Sequence, residues 1–323
     1  MSDDRKILIT GAQGFIGRAL LKHYQSLAQP VHGVDLRGDG GDVHAGDIAA
    51  PAGWSDLLAA SHTVIHTAAL VSNALDDAEM WRVNVLATRQ LIAAARRHGV
   101  RRFVHISSIV VYGNAASGEL DESCPVHADG GSYVRTKIAA EHSVLSAYAE
   151  GGIEVVILRP GDVYGPGCRV WIDVPLQLIR SHQFLLPASG KGHFRPTYID
   201  DLVRGIACAA ASPQACGQTF NLSCRGAIST REFFQHHHQW LRRPGPLCLP
   251  TLPALVLAQS NFQVRRLLGR RSEASPASVQ QLTSQAWFDI RKAETMLGWV
   301  PAVSLAEGMQ HSRAWAESQG LLD

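Results

Sequence analysis

The chain reads as an α/β protein built on a doubly wound parallel sheet, with a smaller C-terminal lobe interleaved with it. Three observations carry this expectation. Short apolar runs of strand length alternate with long helical segments through the first half of the 323 residues. Those runs are apolar almost throughout, as strands covered by helices on both faces must be. The first of them leads straight into a turn punctuated by Gly11, Gly14 and Gly17, the spacing needed to pass sharply from strand to helix.

The elements follow in order. KILIT (Lys6 to Thr10) is the first strand, and FIGRALLKHYQSL is the helix after the glycine turn. VHGVD (Val31 to Asp35) is the second strand, and HTVIHTAA (His62 to Ala69) is the next. A helix runs through MWRVNVLATRQLIAAARRHG, with Gly99 as its stop. RRFVHISS is a strand, the segment around Tyr133 is a helix, and IEVVILRP (Ile153 to Pro160) is a strand again. Beyond Pro160 glycine and proline become frequent and helices shorten, as in DLVRGIACAAA and TREFFQHHHQWL. QTFNLS (Gln218 to Ser223) is strand-like, so the chain is expected to re-enter the sheet. A nominal boundary at residue 165 divides a cofactor-binding unit, 1–165 with strand returns near 196–223, from a mainly substrate-binding lobe, 166–323.

Composition narrows the function classes. With 30 Lys plus Arg against 28 Asp plus Glu, the net charge of +2 gives no global electrostatic case for nucleic acid or another polyanion. The basic spots, Arg101-Arg102 and the run Arg265 to Arg271, read as solvated helix ends. Six scattered cysteines without a CxxC pair fit a reduced, cytoplasmic protein, and MSDDRK leads into a strand rather than a signal peptide. The most apolar run, Pro246 to Ala258, is too short to span a bilayer and carries three prolines. No metal site is expected: His236, His237 and His238 are consecutive, and on a helix they point in different directions.

Two constellations carry chemistry. Gly11, Gly14 and Gly17 let backbone approach a pyrophosphate while the following helix offers free N–H donors. Asp35 ends the second strand, where it can accept from adenosine ribose hydroxyls and repel a 2′-phosphate. NAD is therefore expected over NADP, with Arg37 close enough to soften the preference. The second constellation is GGSYVRTK, in which Tyr133 and Lys137 share a helix face at i, i+4. A neighbouring ammonium lowers a phenol's pKa, and Ser107 and Ser108 at a strand end can hydrogen-bond a reacting oxygen.

With these in place the chain resembles the extended short-chain dehydrogenases/reductases, the NAD-dependent epimerase/dehydratase superfamily, over nearly all its length. The resemblance rests on TGxxGxxG at Thr10 to Gly17, Asp35, Asp47-Ile48, HTAA at His66 to Ala69 and NVLAT at Asn84 to Thr88. It continues through Ser107 to Gly113, YVRTK, RPGDVYGPG at Arg159 to Gly167 and YIDDLVRGI at Tyr198 to Ile206. It implies a Rossmann-type fold, with Ser108, Tyr133 and Lys137 catalytic: tyrosine as acid/base, lysine on the nicotinamide ribose and lowering the tyrosine pKa. It also implies a cofactor set of Gly11, Gln13, Gly14, Phe15, Ile16, Gly17, Asp35, Asp47, Ile48, Ala68, Ala69, Asn84, Ser107, Tyr133, Lys137, Pro160 and Val163. Homodimerisation through helices near 79–98 and 132–149 is implied as well.

Substrate class turns on two departures. Sugar-nucleotide epimerases of this kind carry Asn where this chain has Asp162, and Arg where it has Phe194, with Arg195 displaced by one. Both departures resemble the 3β-hydroxysteroid-dehydrogenase-like and dihydroflavonol-reductase-like branch. The expected activity is interconversion of a secondary alcohol and a ketone on a small or apolar, steroid-like substrate, near Val71, Ser108, Asp162, Phe194 and Arg195. The apolar insert Pro244 to Leu268 is a candidate roof. Two alternatives stay open: a sugar-nucleotide 4-epimerase/dehydratase with tightly held NAD, Arg195 reaching the phosphates, and a non-catalytic NAD-sensing protein.

Overall fold

The computed structural model describes residues 6–72, 75, 77–113, 116–267 and 276–323. Leu268 of the apolar insert, and the last part of the basic run that ends at Arg271, lie outside these residues. The sheet has seven strands: β1 (Ile7–Thr10), β2 (Val31–Asp35), β3 (Val43–Ala45), β4 (Thr63–His66), β5 (Arg102–Ile106), β6 (Glu154–Pro160) and β7 (Gln218–Leu222). Their order is β7-β6-β5-β4-β1-β2-β3, and every pairing is parallel. The order reverses at β1, whose neighbours are β2 and β4. The crevice beyond the carboxyl ends of β1 and β4 is where such sheets receive ligands.

Both faces are covered. One carries helix α1 (Phe15–Ser26) and, later in the chain, α4 (Ile199–Ala211); the other packs against α2 (Thr88–Arg97), through Leu91, Ile92 and Ala95. Helix α3 (Ser132–Ala149), which carries Tyr133 and Lys137, lies along α2 and buries Val144 in the same cluster. The cluster on the α1 face includes Ile9 and Val104 and runs without a break into Tyr164, Phe194 and Phe233, so the later segments share a core with the sheet.

Several elements escape periodicity. β3 has three residues, two of them exposed, so it carries no strand pattern. The helix expected through residues 80–99 is broken: Arg82–Ala87 forms a π turn before α2 begins at Thr88. That turn brings buried Asn84 over the strand ends, where its side chain holds both the N–H and the C=O of Leu70, at 2.8 and 3.0 Å. Gly99 does end the helix, with φ +77°. Among the three histidines of helix α5 (Thr230–Trp240), His237 donates to the Trp171 carbonyl at 2.8 Å, and His238 turns to Pro244.

The YIDD segment has a structural task. Asp201, 1% exposed, accepts from the backbone N–H groups of Ala302 and Val303, both at 3.0 Å. Its carbonyl accepts from the indole N–H of Trp299 at 2.8 Å. One carboxylate thus fastens the C-terminal segment to α4. Asp201→Ala strands those donors and is expected to lower unfolding free energy by about 2 kcal/mol or more, read by denaturant unfolding.

Candidate active site

The ends of β1, β4, β5 and β6 open into a cleft of about 2120 Å³. On the β1 side, Gly11 has φ +72°, and a Cβ there would lie 2.6 Å from the Ala68 nitrogen. At Gly17 a Cβ would lie 2.1 Å from the Gly11 carbonyl oxygen, so only glycine lets α1 sit this close to the turn. No side chain caps the start of α1 at Gly14, which leaves its first N–H groups available to an anion. Asp35 accepts from the Gln13 N–H at 2.9 Å and the Leu36 N–H at 2.7 Å. These bonds fix the carboxylate at the rim and leave lone pairs for further donors. Cradle, uncapped helix start and fixed acid together fit a dinucleotide.

On the β5 side, Ser107, Ser108, Tyr133 and Lys137 all line the cleft. Ser108 stands by the Tyr133 hydroxyl, where it favours the phenolate, and caps the turn Ile109–Tyr112 by accepting from the Val110 N–H. Ser107 keeps its hydroxyl without a partner among the described residues. Lys137 Nζ donates to the Ile106 carbonyl at 2.8 Å and lies 5.8 Å from the centre of the Tyr133 ring. Burial pushes the phenol up to about 12, opposed by Ser108. Burial pulls Lys137 down to about 8, opposed by Glu141 one turn further along α3. The expectation that the ammonium acidifies the phenol is therefore corrected for the chain by itself: loss of water raises the phenol, Ser108 rather than Lys137 opposes it, and the lysine is aimed at a carbonyl. At neutral pH Tyr133 is an acid in its protonated form.

Of the other sequence-derived cofactor residues, Gln13, Gly14, Phe15, Ile16, Ala69, Pro160 and Val163 line the cleft. Gly11, Gly17 and Ala68 shape the turn behind it. Ile48 is buried with Val34 and Trp54 as core, and Asp47 beside it is exposed, its carboxylate accepting from the Ala49 N–H. Asn84 sits one layer back. It also donates to Thr136 Oγ1 at 3.2 Å, so it ties the Leu70 loop to the turn of α3 that holds Tyr133.

The expected substrate residues divide. Val71, Ser108 and Asp162 line the cleft, whereas Phe194 and Arg195 do not. Phe194 is stacked on Phe233 at 3.9 Å and meets Trp171 edge-on at 5.0 Å, so it supports the wall from behind. Arg195 is buried in an ion pair with Asp162 at 3.1 Å, and its backbone N–H donates to the same carboxylate. Its Nη1 donates to the His193 carbonyl at 2.9 Å, so the guanidinium is held away from the cleft. Burial still raises the Asp162 pKa, with Arg195 opposing. Sequence reasoning misses the wall itself: Trp171, Leu178, Phe184, Phe234, Val279 and Leu282 come from separate segments after residue 165. Only their apolar character is visible in the sequence.

Residues 7–223 match the NAD dependent epimerase/dehydratase family. The UDP-glucose 4-epimerase of Vibrio cholerae is 30% identical over 95% of this chain and 94% of its own length. The 2-alkyl-3-oxoalkanoate reductase of Stenotrophomonas maltophilia is 27% identical over 96% and 98%. Among solved structures, MoeE5 in complex with UDP-glucuronic acid and NAD superposes with a TM-score of 0.80 at 28% identity, covering 97% of this chain and 99% of that one.

The buried pair generates a prediction. Arg195→Met leaves the Asp162 carboxylate buried and unpaired, and stability near pH 7 should fall by about 3–5 kcal/mol. Asp162 already titrates above its usual range, so its charged form opposes folding as pH rises, and without Arg195 that window extends upward. Thermal unfolding of the variant should recover on acidification, and Asp162→Asn in the same chain should restore stability at pH 7.

Proposed function

This chain belongs to the NAD dependent epimerase/dehydratase family as an NAD-dependent oxidoreductase, and from that premise we propose that it interconverts a secondary alcohol and a ketone on an apolar substrate. The observation that carries the reading is the Asp162–Arg195 pair. A diphosphate lying along the cleft past Pro160 finds the nearest sequence candidate for its cation, Arg195, already consumed by Asp162. The cleft shared with Tyr133 carries Trp171, Leu178, Phe184, Phe234, Val279 and Leu282 on its wall, which suits a ketone on a hydrocarbon frame. The named substrate of the Stenotrophomonas maltophilia relative is of this type: a ketone on an alkylated chain one carbon from a carboxylate. Arg169, which lines the cleft and is exposed, would meet such a carboxylate.

The residues have distinct tasks. Gly11, Gly14 and Gly17 with the start of α1 would hold the pyrophosphate of NAD, and Asp35 the adenosine ribose. NAD, when bound, gives or takes the hydride. In reduction Tyr133 donates its proton to the carbonyl oxygen, and the Ser108 hydroxyl hydrogen-bonds that oxygen as it gains charge. Lys137, held by the Ile106 carbonyl, presents positive charge beneath the phenol and offers its remaining protons to a ribose hydroxyl.

A second reading has its own support in the similarity to the Vibrio cholerae epimerase over almost the whole chain. Under it, hydride leaves and returns to the same sugar, NAD stays bound, and no NADH accumulates. One experiment decides between them. Incubated with NAD and apolar secondary alcohols, the enzyme should raise absorbance near 340 nm; turnover of a UDP-sugar epimer without that rise overturns the first reading. Tyr133→Phe should lower turnover by about 10²–10⁴-fold while NAD still quenches intrinsic fluorescence; retained turnover removes Tyr133 from the chemistry. Asp35→Ala should narrow the affinity gap between NAD and NADP by about tenfold, and an unchanged gap in binding titrations contradicts the role given to Asp35.

A further inference from the structure

The net charge of +2 hides a local imbalance. From Phe233 to Ser272 the chain contains six arginines (242, 243, 265, 266, 270 and 271) and no Asp or Glu. In the middle of this stretch lies helix α6 (Thr251–Leu267), on which Ala254 is buried while Leu252, Val256 and Leu257 are exposed at 75%, 63% and 51%. Leu247, just before the helix, is also exposed, and so are Arg242 and Arg243. Scattered exposed leucines need no explanation; a cluster on one short segment within a stretch of chain this rich in arginine and free of acids does.

The face is continuous with the cleft. Leu257 lines its mouth, as do exposed Val71 and Val170, the latter beside exposed Arg169. Ala254 and Ala258, on the inner side of α6, line the same cleft. One helix therefore roofs the cavity with one side and shows leucine and valine outward with the other. Among the described residues no helix is long and apolar enough to cross a membrane. An apolar face in a segment of net positive charge suits a bilayer surface instead: apolar side chains enter the acyl boundary, and guanidinium groups stay among anionic headgroups.

We infer that the outer face of α6 docks on an anionic lipid bilayer, with the mouth of the cleft turned toward the acyl region. A partner protein would require the arginines to meet a matching set of acids; a bilayer supplies both the apolar layer and the negative charge without any matching. Delivery of an apolar alcohol or ketone from the membrane into the cleft rests on the function proposed above, whereas the docking does not.

Vesicle flotation of the full chain tests it. The protein should float with phosphatidylcholine vesicles containing phosphatidylglycerol, and less with phosphatidylcholine alone or in high salt. Leu252→Glu with Val256→Glu, and separately Arg242→Glu with Arg243→Glu, should each weaken binding by about tenfold or more. None of these residues lines the cleft, so NAD binding should persist; if the first pair fails to fold, the arginine pair decides alone. Failure to float with the mixed vesicles, or flotation unchanged in both variants, overturns the inference. So does a wild-type dimer that the Leu252/Val256 variant converts to monomer in sedimentation, which assigns the face to a second copy. Turnover of a water-soluble alcohol, measured without vesicles, separates failure of the function from failure of the docking.

Discussion

Loss of water at the carboxyl ends of β4 and β5 governs the chemistry of this site. Within it burial raises the Tyr133 phenol and lowers the Lys137 ammonium to about 8. It pushes His66 down to about 3 and His105 well below the usual imidazole range. Both histidines are neutral, so among the described residues of this centre Lys137 is the group poised near physiological pH. Glu141 opposes the loss of that charge from one turn away, and is itself held by two bonds from Arg159, at 2.9 and 2.7 Å. Arg159 in turn lies 4.8 Å from the centre of the Tyr112 ring. The positive charge beneath the phenol thus depends on an ion pair the cleft never touches. In a medium of low polarity such a pair acts over a distance that water would screen.

The parts legible in the sequence are those where one backbone requirement admits one residue type. Gly11 and Gly17 are forced by close approach, and Gly99 by a left-handed turn. Tyr133 and Lys137 are legible for a different reason: i, i+4 spacing fixes their side on any helix. The strands of the first half are legible because burial on both faces makes them apolar throughout. Their ends are less so. HTVIHTAA stops being strand at His66, and the chain turns at Thr67, whose hydroxyl donates to the Thr10 carbonyl at 2.8 Å. That bond joins neighbours 57 positions apart in the chain, and no local pattern contains it.

What stays hidden depends on tertiary partners. Asn84 reads as a contact along the cofactor cleft; the π turn makes it the clasp between two segments of that cleft. Arg195 reads as free to slip one position toward phosphates, because nothing in sequence reveals that Asp162, 33 positions earlier, lies opposite it. Phe194 reads as lining, and the aromatic layer of Trp171, Phe233 and Phe234 turns it into support. The phenol's acidity is an instance of the same limit. Spacing identifies the ammonium, but the net effect depends on how much water each group loses.

Asp162 and Arg195 show how a small change in a shared scaffold redirects it. Asparagine in that turn is neutral and can donate; aspartate can only accept, and buried it needs a cation. The guanidinium that satisfies it arrives with the strand Pro196–Tyr198, which runs parallel to Asp162–Tyr164 with Pro196 opposite Asp162. That register places Arg195 beside the carboxylate, and the pair closes on itself. A cleft wall that has internalised this pair presents Trp171, Leu178, Phe184 and Phe234, with Arg169 and Gln183 among its remaining polar groups. At the β1 end the glycine turn and the uncapped helix start stay open to an anion, while Asp162 and Arg195 satisfy one another at the β6 end. The division of labour between the two ends of one cleft is therefore set by which charges the fold has already paired.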